Sequence, residues 1–323
     1  SLGMAAYSEY RRHYRGRVDV VLEDMLGGSR VPFFAPVYVR EPVITVWHQD
    51  HRPIFEHQYP RPLWPLLSLL EKLLLRVHRG CYVLTPSRQS AASFVAKGGA
   101  PERVRIYRPG IAPDLLSRGP PPSFGQRVPR IVCLGKIRRY KAAHLAIGVL
   151  GQLATSVPDA ELSIAGRMGQ PEYYSELQRM VVDQGLSSRV HFELEVSEER
   201  KVDLLRSSRV LIATAPIEGF GVAVLEAGAC GLPVVGTAGV PEDALKEGEN
   251  GLRVPVGDVD GLARQTRRIL TDPTLFAKLS EGGYRMAQGS AWPRSADTLF
   301  GILREIFPSA PTNGSRLGAG GSR

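Results

Sequence analysis

The stretch Pro216-Ile217-Glu218-Gly219-Phe220-Gly221-Val222-Ala223-Val224-Leu225-Glu226-Ala227, running into Gly231-Leu232-Pro233-Val234-Val235, sets the frame for the rest of the chain. Ahead of it, Arg209-Val210-Leu211-Ile212-Ala213 is a short apolar run between polar residues, which predicts a buried strand. Pro233-Val234-Val235-Gly236 predicts the next strand. Between them, residues 221–230 have helical spacing and stop at Gly231, a residue on which helices commonly end. A loop that leaves a strand and opens a helix presents free backbone N–H groups, which suit a phosphate or another anion. Glu218 and Glu226 in that place therefore need a task other than holding phosphate.

Outward from this unit the pattern repeats. Strands are predicted at 130–135, 160–165 and 189–193, with helices at 141–155, 171–185 and 198–207. After the quoted stretch come a short helix from Pro241, a strand at 251–254, helices at 259–271 and 273–288, and a last helix at 292–307. Such alternation means βαβ units and a parallel sheet. The tail 308–323, rich in Gly, Ser and Pro, is expected to be disordered.

Toward the N-terminus, residues 112–129 contain Pro113, Gly119-Pro120-Pro121-Pro122-Ser123 and Gly125, which is linker composition. The expected organisation is a first domain over 1–111, a linker over 112–129, and a second α/β domain over 130–290. A closing helix over 291–307 is expected to pack back on the first domain. Within the first domain, residues 1–17 read as a basic helix or a frayed end, and strands are predicted at 18–22, 42–47, 81–85 and 104–107. A loop holds Gly27-Gly28 and Pro32 to Pro36. A very apolar helix spans 63–79, and another spans 88–97 with Ser87 as its N-cap.

At 323 residues the chain can bury a substantial core and divide into two domains. Its 43% hydrophobic and 23% charged content is that of a soluble globular protein. Cys81, Cys133 and Cys230 are scattered, which excludes a disulfide framework and a CxxC metal site and fits a reducing compartment. There is no signal-peptide pattern and no apolar run long enough for a bilayer span, so a cytoplasmic setting is expected.

Charge is uneven. Residues 1–127 carry 18 Lys/Arg against 10 Asp/Glu, whereas the remainder is nearly balanced at 23 against 22. A basic first domain is either a solvated face or a surface for an anionic membrane or acceptor. Nucleic acid is not expected, because the arginines are not interleaved with aromatics and no binding motif is present. The basic end of helix 63–79 suits its macrodipole, and its apolar length reads either as packing on the sheet or as an interfacial helix in lipid headgroups.

Gly135-Lys136-Ile137-Arg138-Arg139-Tyr140-Lys141 places four cations after a strand and before a helix, the expected position of a polyanion site. His48 falls at the carboxyl end of the second strand, where open α/β sheets meet their ligands. His48, His51, His57 and His78 lie close in sequence, but no Cys or Glu stands at zinc-ligand spacing. Asp258-Val259-Asp260 has the look of a divalent-ion pair, yet helix capping accounts for it.

Glu218 and Glu226, set in Glu-Gly-Phe-Gly, Leu-Glu-Ala and Gly-Leu-Pro-Val-Val, closely resemble the signature of the family 4 retaining glycosyltransferases. Supporting matches are Thr85-Pro86-Ser87, Arg108-Pro109-Gly110-Ile111, Gly239-Val240-Pro241-Glu242, Gly248-Glu249-Asn250-Gly251-Leu252, Gly257-Asp258 and Ser290-Ala291-Trp292. The resemblance covers about residues 18–307 and implies the GT-B fold, two Rossmann-like α/β domains facing each other. It implies a nucleoside-diphosphate-sugar donor and an acceptor bound by the first domain. The charge asymmetry fits a lipid-linked or envelope glycan acceptor and peripheral contact at the inner face of an anionic membrane, with a small soluble acceptor as the alternative. Glu226 matches the residue that holds the donor ribose, and Glu218 the acid beside the donor sugar. Backbone N–H groups of Gly219, Phe220, Gly221 and Val222 are expected at the sugar or its phosphate. Lys136 and Lys141 match the cations that neutralise the departing diphosphate, and His48 matches a first-domain histidine against the donor sugar. No metal or other cofactor is expected.

The sequence departs from the pattern at Lys136, which lacks an arginine's bidentate fork, and at Ala142 and Leu194, where glycine is usual. It also has no glycine-rich loop after a strand ahead of Val18. By typical domain size, roughly 50–70 residues of the first domain are expected to be missing. On that ground the alternative reading is a truncated, non-catalytic GT-B module that binds nucleotide or a partner.

Overall fold

The computed structural model describes residues 2–25 and 34–308. The expected loop residues Gly27, Gly28, Pro32 and Phe33, and the tail from 309 onward, lie outside them. Ten strands form two wholly parallel sheets among the described residues. The first sheet holds β1 (Val21–Asp24), β2 (Val43–Val46), β3 (Tyr82–Thr85) and β4 (Val104–Ile106), side by side in chain order. The second holds β5 (Arg130–Leu134), β6 (Glu161–Gly166), β7 (Val190–Leu194), β8 (Val210–Ala213), β9 (Val234–Thr237) and β10 (Gly251–Val254), in the order β10-β9-β8-β5-β6-β7.

That second order decides where a ligand can go. From β5 the chain builds outward through β6 to β7, then returns to lay β8 against the other side of β5 and builds the opposite way. Ile131 pairs with Val210 and Val132 with Leu211 across this junction. Helices leaving β5 and β8 go to opposite faces, so a crevice opens between their carboxyl ends, the topological switch point of an open α/β sheet.

Both faces of this sheet are covered, which is why its strands are continuous apolar runs. Along β5, Ile131 and Cys133 enter one core with Ile147, Leu162, Ile164, Leu177 and Phe276. Val132, between them, faces the other core with Leu211, Val224, Leu225 and Leu245. The helix Val222–Ala229 lies close to the helix Pro273–Gln288 through Gly228 and Gly283, where a Cβ on Gly228 would stand 2.7 Å from the Gly283 carbonyl oxygen.

The first sheet is covered likewise. Trp47 and Val83 pack with Leu75 and Phe94 on one face. Ile44 and Leu84 pack with Ile302, Leu299, Leu303 and Ile306 of the last helix, Trp292–Ile306, on the other. The chain crosses between the sheets twice, and the crossings run side by side: Ile111 bridges Ala291, Ile111 N–H donates to the Ser290 carbonyl (2.8 Å), and Trp292 N–H donates to that of Ile111 (3.1 Å).

Three local readings are corrected. Residues 241–244 form a turn instead of a helix, since Pro241 supplies two carbonyl bonds (Ala244 N–H and Leu245 N–H, both 3.0 Å) and the chain then leaves. The loop read over Pro32 to Pro36 runs into the helical turn Ala35–Tyr38, and the linker contains the helical turn Pro113–Leu116. Both, like the helix Arg52–Gln58 for which no element was expected, begin with proline near their first position, which is pre-set for a helix start.

Candidate active site

The loop 214–221 and the turn after β5 form the two walls of the switch-point crevice. Lys141 extends into it and its Nζ donates to Glu218 Oε1 at 2.5 Å, while its carbonyl accepts from Thr214 Oγ1 at 2.8 Å. Burial disfavours the Lys141 ammonium, but the Glu218 carboxylate beside it outweighs burial and holds its pKa above the ordinary lysine value. Lys136 is exposed on the rim of the same crevice, which Gly221, Ala223 and Val224 also line.

The four-cation run is thus divided, which corrects the expectation of a single polyanion cluster. Arg139 turns away to pair with Glu176 and lies 5.1 Å above the Tyr173 ring. Arg138 lies along Gly169, where a Cβ would stand 2.6 Å from its Cγ. The turn itself is pinned by Gly135 N–H to the Ala165 carbonyl and Ile137 N–H to that of Arg167, both 2.9 Å. Ala142, which follows it, is left-handed with φ 55° and ψ 37°.

On the other wall, Glu218 is held by its own N–H to the Gly239 carbonyl (2.9 Å). Phe220 is buried in the core beneath and anchors the loop. Gly221 has φ 96°, a backbone that glycine adopts without strain, and turns the chain into the helix Val222–Ala229. No side chain caps that helix among the described residues, and Val222 is exposed at its first position. One turn further in, Glu226 accepts from Lys201 Nζ at 2.7 Å, and Lys201 also reaches Glu198 at 2.7 Å. Burial again works against the Lys201 ammonium, and the two carboxylates overcome it and raise its pKa.

The first domain closes the crevice from outside. Ser87 Oγ and Ser90 Oγ both donate to the Gly219 carbonyl, at 2.7 and 3.0 Å, and Ser90 Oγ also donates to the His48 carbonyl at 2.6 Å. A Cβ on Gly219 would stand 2.7 Å from that His48 oxygen, so glycine permits the approach. His48, half-buried, has its Nε2 3.0 Å from Asp24 Oδ1. Beside this, the buried Asp243 accepts from Arg88 N–H (3.0 Å) and Arg88 Nε (3.2 Å), with Arg108 at 3.7 Å.

The structure places Lys136, Lys141, Glu218 and Gly221 on the crevice, sets Gly219 against the His48 carbonyl beside it, buries Phe220 in the core beneath, and puts Val222 and Glu226 on the helix that leaves it, Glu226 with Lys201. Sequence reading missed Lys201, Thr214, Asp24 and Ser90. It also took Ser87 only as a cap, which it is (Ser90 N–H, 3.1 Å), without its second bond to Gly219. Leu194 packs at the edge of the core, and Glu195 after it is left-handed (φ 52°) with its carboxylate on Met168 N–H at 2.8 Å.

His48, His51 and His78 face Asp24, Glu71 and Glu23 respectively, so the histidines diverge; the His57 side chain lies outside the described residues. No group of three or more His, Cys, Asp or Glu among the described residues could hold a metal ion. Asp258 caps its helix by accepting from Gly261 N–H (2.8 Å), and Asp260 accepts from Gln152 Nε2 (2.7 Å).

A family model described as glycosyl transferases group 1 matches residues 122–286, just over half of the chain and the whole of the crevice's inner walls. The chain belongs to this family. Among curated group 1-like relatives it is 30% identical over 242 residues to the GDP-mannose-dependent alpha-(1-6)-phosphatidylinositol monomannoside mannosyltransferase of Mycolicibacterium smegmatis, covering 69% of this chain and 62% of that protein. It is 26% identical over 233 residues to the D-inositol 3-phosphate glycosyltransferase 1 of Catenulispora acidiphila, covering 68% of this chain and 56% of the relative. The chain thus spans between about half and two thirds of the length of such relatives. Its fold matches Anabaena HepE in complex with UDP and glucose (TM-score 0.74, 19% identity, covering 94% of this chain and 83% of that one). It matches the sucrose-phosphate synthase of Thermosynechococcus elongatus equally well (TM-score 0.74, 20% identity, 96% and 78% covered). The group 1 chain has the GT-B fold, with both Rossmann-like domains present.

Proposed function

We propose that this chain is a retaining glycosyltransferase of the family 4 type. It moves a sugar from a nucleoside-diphosphate-sugar donor, seated on the second domain, to a glycan or lipid-linked acceptor presented by the basic first domain at an anionic membrane surface. The observation that carries this reading is the Glu218–Lys141 contact in the crevice at the switch point of a parallel sheet, with a second acid–lysine contact, Glu226 with Lys201, on the helix that leaves it.

Each contact supplies a part of the chemistry. The ribose diol suits Glu226, whose carboxylate accepts two hydrogen bonds at once. The diphosphate suits the space between Lys136, Lys141 and the uncapped start of the helix Val222–Ala229, where two cations and free N–H groups stabilise the charge that develops as the nucleotide leaves. The sugar then lies between Glu218 and His48, one acid from the second domain and one imidazole from the first. With this charge met by lysines and backbone, the reaction proposed here uses no metal. Retention is supported by the family 4 signature. The named acceptors of the two relatives, a phosphatidylinositol mannoside and an inositol phosphate, support a phosphate-bearing or lipid-linked acceptor.

The test is thermal unfolding of the full chain with UDP, GDP and ADP, then transfer assays with the sugar nucleotides of whichever binds. A ligand at a hundred times its Kd stabilises the folded state by about 2.7 kcal/mol, so the matching nucleotide raises Tm by several degrees. No shift with any of the three removes the donor site. Binding without transfer to any glycan or lipid-linked acceptor moves the reading to a non-catalytic nucleotide-binding module.

A further inference from the structure

Behind His48, on the side of its turn away from the crevice, lies a buried charged cluster that the proposed chemistry does not use. Glu71, 4% exposed, sits on the inner face of the helix Trp64–Val77. Its Oε1 takes His51 Nδ1 at 2.9 Å and His51 N–H at 3.4 Å, and its Oε2 takes Lys97 Nζ at 2.5 Å. Lys97 Nζ reaches Asp50 Oδ1 at 2.8 Å and lies 6.0 Å from the centre of the Trp47 ring. The His51 ring, itself 7% exposed, stands edge-on to Trp47 at 5.3 Å and stacks on Phe55 at 6.1 Å.

We infer that Glu71 is a positioning residue for His48: through His51, Lys97 and Asp50 it fixes the turn 47–51 in the place where His48 meets Gly219. The inference rests on the proposed reading that His48 lies beside the donor sugar.

The geometry is that of a bracket. Residues 47, 50 and 51 all touch Glu71 or Lys97 on the inner side. On the outer side, the His48 carbonyl touches Ser90 and lies against Gly219, and Gln49 Oε1 would stand 3.6 Å from a Cβ there. A shift of the turn by less than the width of an atom would therefore carry the His48 imidazole out of its place relative to the loop carrying Glu218. Stability alone does not account for this cluster. Taking a carboxylate and an ammonium out of water costs several kcal/mol that their attraction only roughly repays, and apolar side chains of similar volume would fill the same space as well or better. A cluster of this kind fixes one geometry, since Glu71 must face His51 and Lys97 at once and Lys97 must face Glu71 and Asp50. Burial pushes the Glu71 carboxyl up, yet the bonds from His51 and Lys97 outweigh it and hold it below the usual carboxylate range, so Glu71 stays charged.

The experiment is a double-mutant cycle with Glu71→Gln and His48→Ala in the full chain. Glu71→Gln keeps the side-chain shape but removes the charge that gathers Lys97 and His51. It lowers kcat of transfer about 10- to 100-fold, because small misplacements of a reacting group cost that much, and leaves the Kd for the nucleoside diphosphate unchanged, since the nucleotide is held by the other domain. In the His48→Ala background Glu71→Gln has no further effect on kcat. An equal loss in both backgrounds, or a matching rise in nucleotide Kd, overturns the inference, because a merely structural role is additive and unselective. Should Glu71→Gln fail to fold, Asp50→Asn touches the same lysine from a more exposed site and gives the same pattern at smaller size. The imidazole nitrogen spectrum of His48, assigned with His48→Ala, needs no turnover. Glu71→Gln shifts it while leaving His144 and His191 of the second domain unmoved, whereas an unmoved His48 overturns the inference. Absence of transfer by the parent chain with any donor counts against the proposed function, and this spectrum then still decides about Glu71.

Discussion

At the scale of single residues, the two acids of the opening stretch are separated by the lysine each one keeps. Lys141 comes from the turn after β5 and would be shared between Glu218 and an arriving diphosphate, whereas Lys201 comes from the helix Glu198–Ser207 and bears on Glu226. Glu218→Ala is accordingly expected to lower transfer by about 100- to 1000-fold, the usual loss for one preorganised electrostatic group, with nucleotide affinity nearly intact. Glu226→Ala would remove the charged hydrogen bonds proposed to the ribose, worth about 1.5–3 kcal/mol, and is expected to weaken nucleotide binding about 10- to 100-fold. Isothermal titration and steady-state kinetics on both variants check this, and equal loss of nucleotide binding in the two refutes the division. Ala142 gives a second residue-scale expectation. An L-residue in the left-handed region costs about 1–2 kcal/mol, and Ala142 is held there with φ 55° at the start of the helix Ala143–Leu153. Ala142→Gly relieves that cost but adds chain entropy to the unfolded state, so a net gain of about 0.5–1 kcal/mol in urea unfolding is expected.

At the scale of elements, Arg127 ties the linker to the helices on either side of the crevice. Its guanidinium donates to the carbonyls of Pro122 (3.0 Å), Leu205 and Ser208 (2.9 Å each), Cys230 (2.6 Å) and Gly231 (3.2 Å), with Phe276 5.3 Å beneath it. Those carbonyls close the helices Glu198–Ser207 and Val222–Ala229, whose C-terminal ends favour a cation. Burial pushes the Arg127 pKa down to about 10, so it stays charged at neutral pH. Arg127→Ala strands several buried acceptors at about 1–3 kcal/mol each before relaxation, and a loss of about 3 kcal/mol in chemical unfolding is expected. Arg127→Lys recovers only part, because one ammonium cannot span a planar fork of five acceptors. Nothing in the sequence around Arg127 marked this role, whereas the strand-helix alternation of the second domain was legible almost to the residue, as with the helices Val259–Thr271 and Pro273–Gln288. Periodicity reports burial along one element and is strong where elements are long. The seven residues of Arg52–Gln58 are too few to show it. Pairings between elements follow from strand order, which a sequence does not display. Once β1 is known to lie beside β2, with Asp24 opposite Val46, the Asp24–His48 contact follows two residues later.

At the scale of the whole molecule, the two domains meet through polar contacts and differ in the surfaces they turn outward. The first domain exposes Met4, Tyr7, Val37, Leu63, Leu66, Leu69 and Leu73, where residues 130–290 expose, of their large hydrophobic side chains, Val182, Val222 and Val256. Leu66, Leu69 and Leu73 are 61%, 63% and 50% exposed at helical spacing on the helix Trp64–Val77, whose buried face carries Glu71 and Leu75. Exposed Arg61, Lys72, Arg76 and Arg79 accompany them. Among the described residues no helix is long and apolar enough to cross a membrane. The membrane contact proposed above would use this stripe as a helix in the interface, with leucines in the acyl boundary and cations at anionic headgroups. Full insertion of a leucine is worth about 1.5–3 kcal/mol, so replacing Leu66 and Leu69 by glutamate together is expected to weaken partitioning onto phosphatidylglycerol vesicles at least 100-fold. Tm stays unchanged, because both side chains already stand in water. Each basic residue near the surface adds about 1 kcal/mol that salt screens, so parent binding weakens as ionic strength rises and falls away on neutral phosphatidylcholine. Vesicle co-sedimentation of parent and double variant at low and physiological salt decides it. A double variant that sediments as well as the parent would show that this helix does not carry the contact.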